Sequence, residues 1–105
     1  MKISVLTPER EIFQGTVTSV KVPGTLGEFQ VLKNHAPIVS SLEAGVIHVV
    51  TAQGEYKYFD TESGEIRVAD EPGRVLHFSI AGGFIEVLRD EVSLLVQGVK
   101  EKANA

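Results

Sequence analysis

The feature that most constrains this chain is an apolar beat of period two, broken by turn residues roughly every ten positions. Ile3 and Val5 alternate with Lys2 and Ser4, Val20 and Val22 flank Lys21, and Phe29 and Val31 flank Gln30. The beat returns in Tyr56-Lys57-Tyr58-Phe59, in Glu65-Ile66-Arg67-Val68 and in Val75-Leu76-His77-Phe78-Ser79-Ile80. It closes in Phe84-Ile85-Glu86-Val87-Leu88 and Val92-Ser93-Leu94-Leu95-Val96. An extended backbone sends successive side chains to opposite faces, so each such stretch buries one face of a strand. Pro23-Gly24, Leu26-Gly27, Gln53-Gly54, Ser63-Gly64, Pro72-Gly73, Gly82-Gly83 and Arg89-Asp90 supply the turns. Short strands at this spacing predict an all-β fold, an antiparallel sandwich or barrel. Val92, Leu95, Val96 and Val99 also fall at helical spacing, but Gly98 interrupts and the window is too short for a stable helix. The expectation is a last strand near 92–96, then a frayed polar tail.

Composition narrows the function more than the fold. The 105 residues are 43% apolar and 23% charged, one globular domain's worth of chain. With no cysteine, a disulfide framework, a thiolate metal site and a catalytic thiol are all excluded. A formal charge of -4 argues against a binder of nucleic-acid backbones. No apolar run approaches the ~18 residues of a membrane span, and Met1–Val5 shows no secretory signal. The acidity is local. From Glu55 to Pro72, six acids face only Lys57 and Arg67, whereas the rest of the chain is balanced. That segment reads as a solvated hairpin or as a face for a basic partner.

Catalytic chemistry finds little to work with. His35, His48 and His77 are the only imidazoles. His48 and His77 sit in apolar strands, where a sheet histidine is the simplest reading. Were those strands to pair, two imidazoles and a carboxylate could hold a transition metal, but the expectation is no metal and no cofactor. His35 stands in Lys33-Asn34-His35-Ala36-Pro37, where Pro37 stiffens the backbone, which suits a contact rather than catalysis. Gly24-Thr25-Leu26-Gly27 has no Walker lysine, and no calcium-loop spacing occurs. The residues alone therefore reach a small β-sandwich that binds something.

Three stretches, taken in order, do more. They are Val5-Leu6-Thr7-Pro8-Glu9-Arg10 with Phe13-Gln14-Gly15, then Pro23-Gly24-Thr25-Leu26-Gly27-Glu28 running on to His35-Ala36-Pro37, and Ile80-Ala81-Gly82-Gly83-Phe84-Ile85-Glu86-Val87. Glu43-Ala44-Gly45-Val46-Ile47 adds a shorter step. This order and spacing resembles the epsilon subunit of F-type ATP synthase, over about Met1 to Ala52 and Gly73 to Val96. The resemblance implies a non-catalytic rotor subunit in the central stalk, with the gamma subunit and the c-ring as partners. It implies that Glu28 and His35 face the polar loops of the ring, in a loop stiffened by Gly27 and Pro37. Gly15, Gly27, Pro37, Gly45, Gly82, Gly83 and Glu86 would be motif residues that shape the fold. It further implies peripheral association, through the complex, with the cytoplasmic face of a bacterial inner membrane in preference to a plastid thylakoid. No nucleic acid enters. The alternatives are a free-standing ligand-binding β-module and a metal-dependent β-sandwich enzyme.

The chain departs from that family's pattern in three places. Gln30 stands where a glycine is usual, and Lys33-Asn34 replaces a Pro-Gly, although Asn34 tolerates the left-handed conformation. Residues 55–72 look like an inserted acidic hairpin that projects from the sandwich. Beyond Val96 only nine residues follow, too few for the pair of C-terminal helices to which the family's restraint of ATP hydrolysis is attributed, so coupling without that brake is the expectation. The organisation expected is thus a sandwich over 1–97, containing the hairpin, and a short polar tail over 98–105.

Overall fold

The computed structural model describes residues 1–60 and 62–102, and for 100–102 the backbone alone. Eleven strands follow one another with no helix among the described residues: β1 Lys2–Leu6, β2 Glu11–Gly24, β3 Gly27–Leu32, β4 Ile38–Leu42, β5 Gly45–Thr51 and β6 Tyr56–Asp60. Then come β7 Glu65–Ala69, β8 Val75–Ile80, β9 Gly82–Leu88, β10 Glu91–Gln97 and β11 Lys100–Lys102. The alternation predicted from sequence is observed in β1, β8, β9 and β10. Strand β7, predicted to bury one face, instead leaves Ile66 and Val68 exposed, because it is an outer strand paired only with β6 among the described residues. In β8, Leu76, Phe78 and Ile80 are buried between less buried neighbours, and in β10 Val92, Leu94 and Val96 are buried likewise. Each such side chain contributes about 1.5–3 kcal/mol by leaving water.

Strand β2 organises the sandwich, because at 14 residues it is long enough to serve both sheets. Its first half pairs with β1 and β6, giving the order β4-β9-β10-β1-β2-β6-β7. Its second half pairs with β3 and β5, giving β3-β2-β5-β8-β11. The β2–β5 register shifts between Val17 and Ser19, where the strand passes from one sheet to the other. Bulges and bends make such corners. Phe13 of the first sheet meets Phe78 of the second edge-on, with ring centroids 5.9 Å apart, and the core closes around them.

Three details differ from the sequence expectation. The β1–β10 pair is parallel in an otherwise antiparallel fold. Nearly the whole chain separates those two strands, so no tight turn dictates their direction. Strand β4 was not legible in Ile38-Val39-Ser40-Ser41-Leu42, because two serines and an exposed Val39 break the apolar beat. It forms by pairing with β9 from Ile38↔Val87 to Leu42↔Gly83. The expected frayed tail instead begins with β11, whose Lys100, Glu101 and Lys102 pair with Ser79, Phe78 and His77 of β8. Backbone N–H and C=O groups along the edge of β8 demand partners, and the chain returns past Gly98 to supply them. The remainder of that tail, 103–105, lies outside the described residues.

The acidic segment is a β6–β7 hairpin joined to the body at its base. Strand β6 pairs with β2 at Phe13↔Tyr58 and Gln14↔Lys57. Tyr56 is buried against Phe13, with centroids 5.5 Å apart, while the Arg10 guanidinium lies over the Phe59 ring at 4.2 Å. Ile66 and Val68 on β7 stay exposed.

Candidate functional site

Glu28 and His35 occupy the two ends of one edge strand. Among the described residues β3 pairs only with β2, so its outer edge is open. Glu28 lies at the start of β3 opposite Pro23, exposed, with a carboxylate oxygen 3.9 Å from Lys21 Nζ. Roughly 13 Å of strand separates Glu28 from Leu32, and His35 follows in the turn beyond. The His35 backbone N–H donates to the Leu32 carbonyl at 3.1 Å, and Nδ1 lies 2.7 Å from the Ala36 carbonyl. A carbonyl only accepts, so Nδ1–H donates this bond. Asn34 takes the left-handed conformation at φ 68°, keeping the turn that Pro-Gly would otherwise make. The two residues are thus presented along an edge rather than by a single loop. Between them, Leu32 is half exposed, and Leu26 at the tip of the β2–β3 hairpin is completely exposed. Leu26 carries no period-two signal because it sits in the turn itself, and only the structure identifies it.

The outer face of the sheet containing β3 bears a titratable row. Lys21 of β2 stands opposite His48 of β5, which stands opposite His77 of β8. The two imidazoles meet edge to face with centroids 4.6 Å apart and planes at 79°. Partial burial holds the His48 pKa below the ordinary histidine value, helped by His77 and Lys21 and opposed by Glu28. The two strands that carry these histidines do pair, as their shared apolar pattern allowed. Among the described residues no group of three or more His, Asp or Glu side chains gathers as a metal cage.

The outer face of the other sheet is apolar. Phe84 of β9 stands opposite Leu95 of β10, and Val39 of β4 opposite Glu86 of β9. Val39, Phe84, Leu88 and Leu95 are each more than half exposed, and two exposed carboxylates share the face, Glu86 opposite Val39 and Glu91 opposite Leu88. Beside Phe84 a concavity of about 510 Å³ runs over Leu6, Pro8, Gly82, Gly83 and Leu95. The motif glycines support this architecture at separate points. Gly15 lies where Tyr56 crosses β2, so closely that a Cβ there would collide with the tyrosine. Gly45 admits Pro23 in the same way, and Gly27 and Pro37 bracket β3 and its turn. Gly82 and Gly83 fall inside β9 rather than in a turn, with a bend at Ala81 where the chain passes from β8 of one sheet to β9 of the other.

The sandwich thus presents an open, mixed polar edge on one sheet and exposed apolar side chains on the outer face of the other. Residues 1–76 match the ATP synthase Delta/Epsilon chain beta-sandwich domain, and the chain belongs to that family. It is 36% identical over 103 residues to the ATP synthase epsilon chain of Campylobacter hominis, covering 94% of this chain and 76% of the relative. The epsilon chain of Helicobacter acinonychis is 36% identical over 98 residues, with 93% of this chain and 63% of the relative covered. That of Leptospira borgpetersenii is 36% identical over 95 residues, covering 90% and 59%. The chain therefore spans about three-fifths to three-quarters of the length of these curated relatives. In fold it is similar to a chain in a cryo-EM structure of the Euglena gracilis mitochondrial ATP synthase. There the TM-score is 0.67 at 20% identity, over 94% of this chain and 51% of the other.

Proposed function

We propose that this chain is a rotor subunit in the central stalk of a proton-translocating F-type ATP synthase, held between the gamma subunit and the c-ring. It would transmit ring rotation to the catalytic head without catalysing anything itself. The observation that supports this best is the presence of two different docking surfaces on opposite sheets of one rigid sandwich. The β3 edge offers Leu26, Glu28 and His35, a mixed polar surface suited to the polar loops of a ring. The outer face of β9 and β10 offers Phe84, Leu88 and Leu95, suited to an apolar partner such as a gamma helix or strand. A stable interface buries about 800 Å² on each partner, so neighbouring residues of each surface must add area to the named contacts. No helix of the described residues is long and apolar enough to cross a membrane, and attachment to the cytoplasmic face of a bacterial inner membrane would come through the complex.

The test is assembly. Affinity purification of the chain from its native membranes should recover gamma and the c-ring, and recovery of neither would overturn the reading. Glu28→Ala/His35→Ala should retain the fold, since both side chains are outside the core, and should weaken seating on the isolated ring about ten-fold or more. Unchanged ring binding by that variant would reduce the pair to ordinary surface.

A further inference from the structure

The geometry points to a divalent transition-metal site formed by His48 and His77 on the outer face of the second sheet. The two residues are directly opposed across β5 and β8, so their Cβ atoms start about 4.5–5.5 Å apart on the same face. With M–N bonds of about 2.0–2.1 Å, two imidazoles in adjacent coordination positions have centroids about 4.5 Å apart at a right angle and about 5.2 Å apart at the tetrahedral angle. The observed separation is 4.6 Å. Both rings are only half buried, so nitrogen can turn outward and solvent can fill the remaining coordination positions. The backbone needs no adjustment to bring the ligands together, because five further register pairs of β5 and β8 hold the strands on either side.

Electrostatics permits the cation. Lys21 stands opposite His48 and Lys102 opposite His77, and the Glu28 carboxylate lies 3.9 Å from the Lys21 ammonium and offsets that charge. Glu28 is also the acid nearest to contributing through water. Neutral imidazole is the ligating form. With two nitrogen ligands and open positions, the site fits the borderline ions that imidazole suits, with nickel and copper ahead of zinc by the ordinary affinity order. Cysteine-selective and oxygen-selective ions have no ligand set here. Bridging adjacent strands, the ion would fasten β5 to β8 from outside the core. The two ligands lie outside the proposed ring and gamma surfaces, although Glu28 neighbours both sites, and failure of metal binding would leave those contacts untouched.

Titration of the full chain with Ni²⁺ followed by calorimetry tests this, with NMR of the imidazole C–H signals in parallel. The expected result is one ion per chain, a Kd on the order of tens of micromolar and a raised melting temperature. Ni²⁺ should broaden the His48 and His77 signals before that of His35. His48→Gln and His77→Gln should each weaken binding about ten-fold or more. Binding within three-fold of the wild type by His48→Gln/His77→Gln, first broadening at His35, or no binding below millimolar Ni²⁺ would each overturn the assignment. The signal-broadening readout needs no variant, so a folding defect in one would not rescue the proposal.

Discussion

Two adjacent glycines show how differently neighbouring residues of one motif can be constrained. Gly83 sits in β9 at φ 151°, a conformation L residues rarely adopt, and a Cβ there would be driven into the Leu95 carbonyl and to 2.8 Å from Val96 Cα. Both obstacles are backbone of the neighbouring strand and cannot rotate away. At Gly82 the nearest atom to a built Cβ is the Leu42 carbonyl oxygen at 3.5 Å, an ordinary contact. Gly83→Ala should therefore cost about 2 kcal/mol or more, while Gly82→Ala should stay within about 1 kcal/mol. Urea unfolding with an unchanged m-value measures both, and equal losses would contradict the argument. In the sequence the pair was legible as a motif but read as turn punctuation, because two glycines in a row are a turn signal. Nothing local reveals that β10 runs so close that one of them must lack a side chain. The same limit applies to Glu28 and His35, whose exposure was legible from their place outside the apolar beat. Their positions at opposite ends of β3 depend on how Gly27 and Asn34 direct the chain.

At the scale of elements, the strands with a clean apolar beat were legible and those held mainly by a neighbour's edge were not. Strands β4 and β11 exist because β9 and β8 have edges to complete. The β6–β7 hairpin illustrates the boundary between the two cases. Its strands look alike in sequence, yet β6 is bound to β2 and buries Tyr56, whereas β7 is an outer strand with Ile66 and Val68 exposed. At its tip Asp60 accepts a hydrogen bond from Arg67 Nε at 2.6 Å and another from the Glu62 backbone N–H at 2.9 Å. At its base Thr51, the one buried polar residue among those described, donates its hydroxyl to the Glu71 carbonyl and accepts from the Arg74 N–H. The Thr51 N–H also donates to the Arg74 carbonyl. Since Thr51 and Arg74 are already paired, deleting 55–72 and joining Gly54 to Gly73 leaves four residues between them, an ordinary hairpin loop. The deletion should fold, less stably by about 3 kcal/mol, because it uncovers Phe13 as Tyr56→Ala would. Thermal unfolding compares the two variants. A deletion that does not fold while Tyr56→Ala does would make the whole hairpin part of the core.

For the whole molecule, what matters is that one strand belongs to both sheets. Strand β2 carries covalent continuity from the β1 sheet to the β3 sheet, and Gly24↔Leu42 joins it to β4 as well. The β3 edge and the β9–β10 face are therefore joined through one continuous strand and the shared core. Under the proposed rotor role this strand would link the two contact surfaces, and mutation of each surface tests them separately. Phe84 and Leu95 lie outside the core, so Phe84→Glu/Leu95→Glu should change unfolding free energy by no more than about 0.5 kcal/mol for each exposed position. Placing two more carboxylates beside Glu86 should, however, prevent an apolar partner from closing over the face, lowering affinity for gamma about 100-fold or more. Binding to purified gamma and to the isolated ring, measured for this variant and for Glu28→Ala/His35→Ala, gives a crossed comparison. Loss of gamma binding alone in the first and of ring binding alone in the second is the expected pattern. Loss of both in either variant would mean that the surfaces act as one, and the reverse pattern would exchange their partners. If gamma binds Phe84→Glu/Leu95→Glu as tightly as the unaltered chain, the apolar face is not its seat.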